Sequence, residues 1–145
     1  MFVRQSAPYL GDRLQPVLEE LERLPEGSSV CHGDLHPDNV LQSERSLKAI
    51  DWMDANTGDP LCDVARTSMM FLSPFVSMPP LSISPLIGKQ LNDAYLTEYS
   101  RLTGATAAGI DRWRLPVAAA RLRERIPGEQ EWLLAYIDSQ LEARK

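Results

Sequence analysis

The stretch Cys31-His32-Gly33-Asp34-Leu35-His36-Pro37-Asp38-Asn39 gathers two histidines, two aspartates and an asparagine between short apolar segments. A core has no use for that composition, because each such group must be hydrogen-bonded or solvated. The residue types suit phosphoryl transfer from a nucleotide. In that chemistry one Asp accepts the proton of the attacking hydroxyl, while an Asn a few residues on and a second Asp hold magnesium. Asp34, then Asn39, then Asp51 beyond a turn supply those groups in that order. Their oxygen donors are hard, as magnesium requires. Singly, the same residues read as turn or cap residues. His32 and His36 are spaced i and i+4, as in some transition-metal sites, but Pro37 and the extended context deny them a shared helix face.

Short elements must position these groups. Ser28 to Cys31 reads as a strand, and residues 40 to 50 as a hairpin, with Val40 and Leu41 facing Leu47, Ala49 and Ile50 across Glu44-Arg45-Ser46. Centring the turn on Arg45 predicts the pairs Val40 with Ile50, Gln42 with Lys48 and Asn39 with Asp51. Gly58-Asp59-Pro60 predicts a helix capped by Asp59 and running to about Leu72. Before the loop, Leu10, Leu14, Val17, Leu18, Leu21 and Leu24 predict one amphipathic helix, with Pro16 a kink or a start. Ser73 to Pro85 carries four prolines and reads as a connection. Helices are predicted over Leu86 to Leu102, Ile110 to Arg125 with an irregularity at Pro116, and Glu129 to Ala143. Trp113, Trp132, Tyr95, Tyr99 and Tyr136 fall at helical spacings and read as core. Arg121, Arg123 and Arg125 read as a solvated helix end.

His32-Gly33-Asp34-Leu35-His36-Pro37-Asp38-Asn39, Ile50-Asp51-Trp52 and Gly58-Asp59-Pro60-Leu61-Cys62-Asp63-Val64-Ala65 together resemble the aminoglycoside phosphotransferase and choline kinase group of protein-kinase-like enzymes. The resemblance is close over residues 8 to 72 and general beyond. It implies a mainly α fold with a small β-hairpin, the helical carboxy-terminal lobe of the protein-kinase-like fold. Residues 1–145 would form one domain, with the catalytic loop and metal hairpin at 28–54 and a helical subdomain at 59–145. The resemblance implies Asp34 as catalytic base, Asn39 and Asp51 as magnesium ligands, and His36 near the transferred phosphate. It implies that His32 braces the loop and that Asp63 accepts hydrogen bonds from its backbone. Gly33 stands where protein kinases have Arg, and Trp52-Met53 where they have Phe-Gly. The implied activity moves the γ-phosphate of ATP or GTP, with Mg2+, to a hydroxyl of a small molecule. Asp38 and Asp54 are candidates for an acidic acceptor pocket, suited to a cationic acceptor such as an aminoglycoside or an amino alcohol.

Other features bound this reading. The formal charge is -5 and the pI about 5.0, which does not favour a phosphate backbone as the main partner, and no nucleic-acid partner is expected. Acidic residues concentrate in the first half, twelve against six basic ones over residues 1–70. Two cysteines make no disulfide framework and point to a reduced, cytoplasmic setting. No apolar run approaches the roughly twenty residues of a membrane span. A complete kinase-like enzyme also needs a strand-rich lobe with a phosphate loop and a phosphate-pairing Lys. The eight glycines form no G-x-G-x-x-G, and Lys48, Lys89 and Lys145 are the only lysines. We therefore expect the amino-terminal nucleotide lobe to be absent from this chain or supplied by another. The apolar surface left uncovered would favour a homo-oligomer. The competing readings are a non-catalytic lobe acting as a binding or oligomerisation module, and a magnesium-dependent phosphatase.

Overall fold

The computed structural model describes residues 2–74 and 85–144. Six helices make the body: α1 (Ala7–Leu10), α2 (Leu14–Glu22), α3 (Pro60–Leu72), α4 (Pro85–Thr103), α5 (Ala107–Arg121) and α6 (Glu129–Glu142). Four three-residue strands, β1 (Ser29–Cys31), β2 (Val40–Gln42), β3 (Leu47–Ala49) and β4 (Asn56–Gly58), lie between α2 and α3. They form two separate antiparallel pairs, β1 with β4 and β2 with β3. No described helix is long and apolar enough to cross a membrane. The predicted connection from Ser73 to Pro85 falls largely outside the described residues.

Helix α5 is the centre. Leu115 to Arg121 are buried without a break, so this helix is enclosed on all sides rather than on one stripe. α3 packs along it through Val64, Ala65 and Met69, and α6 through Leu133 and Ile137. Val17 and Leu18 of α2, with Val3 from the amino-terminal 3-10 turn, complete the cluster. α5 runs through Pro116. The hydrogen bond lost there, roughly 3 kcal/mol in an exposed helix, is outweighed by packing on every side. Trp113 is buried in this core, and Tyr95, Tyr99, Trp132 and Tyr136 pack against its margin, as their spacing predicts.

Asp59 caps α3 by accepting from the Leu61 N–H at 2.7 Å, and Pro60 takes the first helical position, as expected. Three expectations need correction. The predicted helix from Leu10 to Leu24 is divided, because Gly11 takes φ +53 and separates α1 from α2; Pro16 lies in the first turn of α2. The hairpin register is shifted by one, with Val40 opposite Ala49, Leu41 opposite Lys48 and Gln42 opposite Leu47. The turn is centred on the pair Glu44-Arg45, closed by Ser43 N–H donating to the Ser46 carbonyl at 2.9 Å. An even turn of this kind moves every cross-strand partner by one residue. Strand β4 went unforeseen, since Asn56-Thr57-Gly58 has no apolar alternation.

The third correction concerns the arginine run. Arg121 is 2% exposed and its Nε donates to both carboxylate oxygens of Glu129, itself 1% exposed, at 3.0 and 3.1 Å. Arg121 ends α5 and Glu129 begins α6, so each charge faces the helix terminus that favours it. Ser73 also donates to Glu129. Arg123 lies over the Phe2 ring, 3.9 Å from its centre, and 3.7 Å from Asp54, while Arg125 remains exposed. Removing one member of the Arg121–Glu129 pair strands the other in the core. Arg121→Met should therefore cost about 3–5 kcal/mol, read as the drop in unfolding free energy in a urea titration.

Candidate functional site

The loop after β1 is fastened by its backbone. The N–H groups of His32 and Gly33 donate to Asp63 Oδ2 and Oδ1, each at 2.8 Å. Asp63 sits in the first turn of α3, so the Asp59 cap that starts the helix also sets the position of this carboxylate. Gly33 has φ +82, and a Cβ there would lie 2.3 Å from the Asp54 carbonyl oxygen, so only glycine fits. Further along, Thr67 Oγ1 donates to the Leu35 carbonyl at 2.7 Å, and Asn39 Nδ2 to the Asp34 carbonyl at 2.9 Å.

His32 is buried and both ring nitrogens are engaged. Nδ1 accepts from the Asp34 N–H at 3.3 Å, which leaves the proton on Nε2, facing the Ile50 carbonyl at 2.8 Å. The ring also packs against Trp52, centroids 4.5 Å apart. One side chain thus ties the Asp34 loop to the segment that carries Asp51. With both nitrogens spent, His32 has no lone pair for a transition metal. Among the described residues no three of His, Cys, Asp and Glu gather as a metal cluster.

Asn39 and Asp51 come to the same end of the β2–β3 hairpin, because the Ile50 N–H donates to the Asn39 carbonyl at 2.9 Å. Asn39 spends its amide N–H on Asp34, so its side-chain oxygen is left as an acceptor. Asp51 is exposed, takes φ +61 and has no hydrogen bond or ion pair among the described residues. An amide oxygen and a carboxylate are hard donors. They fit magnesium, which binds few protein groups and keeps waters and phosphate oxygens for the rest of its shell.

Asp34 is half-buried. Its Oδ1 accepts from Arg66 Nη2 at 3.0 Å, and its Oδ2 lies 3.6 Å from His36 Nε2. Arg66 Nη1 reaches Glu124 Oε1 at 2.5 Å. Burial alone would lower the Arg66 pKa, but the charges and hydrogen bonds of Glu124 and Asp34 outweigh it and hold the group above its ordinary value. Sequence reasoning missed both partners. Arg66 had a signal, lying three residues after Asp63 and hence on the same face of α3. Glu124 had none, since only the packing of α3 against the end of α5 brings it near.

Asp38 and Asp54 are grouped as an acceptor pocket, and their surroundings differ. Asp38 is exposed, 4.0 Å from His36 Nδ1. Asp54 lines a cavity of about 630 Å³ with Gly33, Asp63, Arg66 and Arg123. Cys31 and Cys62 also line it, both as free thiols. Burial, with the neighbouring Cys31 and Asp63, pushes the Cys62 thiol up to about 12, and burial with Asp63 and Asp59 raises that of Cys31. Both shifts favour the protonated thiol over the reactive thiolate.

Asp63→Asn would turn one N–H donor toward a side-chain NH2. The amides of His32 and Gly33 should then exchange with solvent faster by roughly one to two orders of magnitude, while core amides of α5 are unchanged. Hydrogen exchange read residue by residue checks this.

Residues 2–115 match the phosphotransferase enzyme family. The fold is similar to that of a thermostable mutant of the aminoglycoside phosphotransferase APH(4)-Ia in its apo form, with a TM-score of 0.55 and 20% identity. That likeness covers 94% of this chain and 43% of the other, so the chain spans less than half the length of that enzyme. No curated protein matches the chain.

Proposed function

Since the chain belongs to the phosphotransferase enzyme family, we propose that the loop and hairpin serve ATP- and magnesium-dependent phosphoryl transfer to a hydroxyl of a small molecule. The observation that carries this reading is that Asn39, hydrogen-bonded to the Asp34 backbone carbonyl, and Asp51 meet at one end of the β2–β3 hairpin, next to the braced loop that carries the half-buried Asp34 carboxylate. Asp34 accepts the acceptor's hydroxyl proton as that oxygen bonds to the γ-phosphorus. The bond to the bridging oxygen breaks and the nucleoside diphosphate leaves. Asn39 and Asp51 would hold magnesium, which supplies charge neutralisation for the phosphates. His36, whose Nε2 lies 3.6 Å from Asp34 Oδ2, would lie near the transferred phosphate. His32 and Asp63 keep the loop from drifting, since misplacement of about 1 Å can cost a hundredfold in rate.

The donor is ATP or GTP. The solved structure of similar fold is named for aminoglycosides, and the acidic first half of this chain suits a cationic acceptor of that kind or an amino alcohol. Lys48 lies on β3 opposite Leu41, away from Asp34 in the chain order of such sites, so the phosphate-pairing Lys is proposed to come from outside these 145 residues. A cytoplasmic setting would keep Cys31 and Cys62 reduced.

Titration calorimetry with ATP, with and without magnesium, tests the assignment. Asp51→Asn should abolish the magnesium-dependent part of binding, whereas Asp34→Asn should leave binding within about twofold and lower turnover by 100-fold or more. Equal effects of the two variants on binding would remove this division of roles.

A second reading is favoured by the surface. Val30 on β1 is 75% exposed and Met53, after β3, 91%, and Leu41 on β2, Leu47 on β3 and Trp52 next to Met53 are exposed as well. Apolar groups left uncovered in this way mark an interface. The chain would then act as a binding or oligomerisation module, covered by a second polypeptide or a second copy. Light scattering at rising concentration should show a dimer or larger species, and Leu47→Lys with Met53→Lys should return it to a monomer. A monomer throughout would rule out self-association.

A further inference from the structure

We propose that Arg66 is a positioning residue for Asp34, its guanidinium fixing carboxylate oxygen Oδ1 and leaving Oδ2 to receive the acceptor's proton. This rests on the assignment of Asp34 as the base. Arg66 donates through Nη2 to Asp34 and through Nη1 to Glu124, so one planar group spans both carboxylates. Its Nε is buried without a hydrogen-bond partner among the described residues, so its hydrogen bonds there run through the two Nη groups. Among the described residues, the ionisable group within ion-pair reach of Oδ2 is the His36 ring, whose Nε2 lies at 3.6 Å, longer than a hydrogen bond. That oxygen therefore keeps a lone pair for an incoming hydroxyl.

The second carboxylate has a physical purpose. When a base accepts a proton it loses its charge, and a mostly buried cation paired to it alone would be stranded. Glu124 prevents this, because Arg66 stays paired whichever state Asp34 is in. Glu124 is held in turn by Arg121 Nη1 at 3.1 Å on its other oxygen, and Arg121 by Glu129. Charges thus alternate from Asp34 through Arg66, Glu124 and Arg121 to Glu129. The guanidinium that sets Asp34 is thereby anchored on α3, the end of α5 and the start of α6. A lysine could not reproduce this, since a single ammonium on a flexible stem does not hold two carboxylates in one plane.

Nitrogen-15 NMR of the Arg66 guanidinium in the 145-residue chain tests the geometry without any catalysis. Asp34→Asn should shift the Nη2 signal and leave Nη1 in place, and Glu124→Gln should do the reverse. An Arg66 spectrum indifferent to Asp34→Asn overturns the proposal. Hydrolysis of magnesium ATP gives the second readout. Arg66→Met should lower kcat about a hundredfold with KM unchanged, and Arg66→Lys should not restore it. A loss confined to KM, or full rescue by Lys, also overturns it. Because the phosphate-pairing Lys is proposed to come from outside these residues, a chain that does not hydrolyse ATP says nothing against Asp34, and the NMR result alone then decides whether Arg66 sets its carboxylate.

Discussion

Two backbone N–H groups, those of His32 and Gly33, point away from any strand partner and into the protein, and the Asp63 carboxylate takes both. Without that acceptor the loop would have to refold to satisfy them, since an unpaired buried donor costs about 1–3 kcal/mol. The rest of the site follows from this one contact. It fixes the turn at Gly33, which lets the chain pass against the Asp54 carbonyl. It sets the start of the segment on which Asp34 and Asn39 stand. It also makes the position of the loop depend on where α3 begins, and the Asp59 cap with Pro60 decides that.

The interior combines two kinds of cohesion. α5 buries small and apolar residues on every side and gains the area-proportional stabilisation of any core. Beside it runs a line of ion pairs from Glu129 and Arg121 to Glu124, Arg66 and Asp34. Such pairs recover their desolvation cost only when geometry and further hydrogen bonds are good, and their effect lies more in fixing one arrangement than in net stability. Here the arrangement they fix runs from the middle of the helical body to the carboxylate of the loop. Magnitudes differ along the line: the Arg121–Glu129 end is enclosed, whereas Asp34 is open enough to meet a ligand.

The strand region is different in character. The β2–β3 hairpin and the β1–β4 pair have three residues per strand and little packing beneath them, so a two-stranded unit of this size has slight stability of its own. His32 holds the two parts together through the Ile50 carbonyl and the Trp52 ring. The exposed Val30, Leu41, Leu47 and Met53 show that these strands present apolar surface outward.

Sequence alone determined the elements whose causes are local. The Asp59 cap, Pro60, the helical spacings of α3 to α6 and the run of His, Asp and Asn after β1 could all be read directly, because capping and periodicity act within a few residues. The order Asp34, Asn39, Asp51 and the braces His32 and Asp63 were legible as a motif. Tertiary structure decided what depends on distance between elements. The hairpin register turned on whether one or two residues centre the turn, which the pattern of Val40 to Ile50 does not distinguish. β4 exists only because β1 offers it a ladder. Arg121 looked like a surface charge until α6 placed Glu129 against it, and Arg66 gained its role when the end of α5 brought Glu124 to one arm and the loop brought Asp34 to the other. Charges of this kind carry no periodicity, so their partners are fixed by packing and not by spacing in the chain.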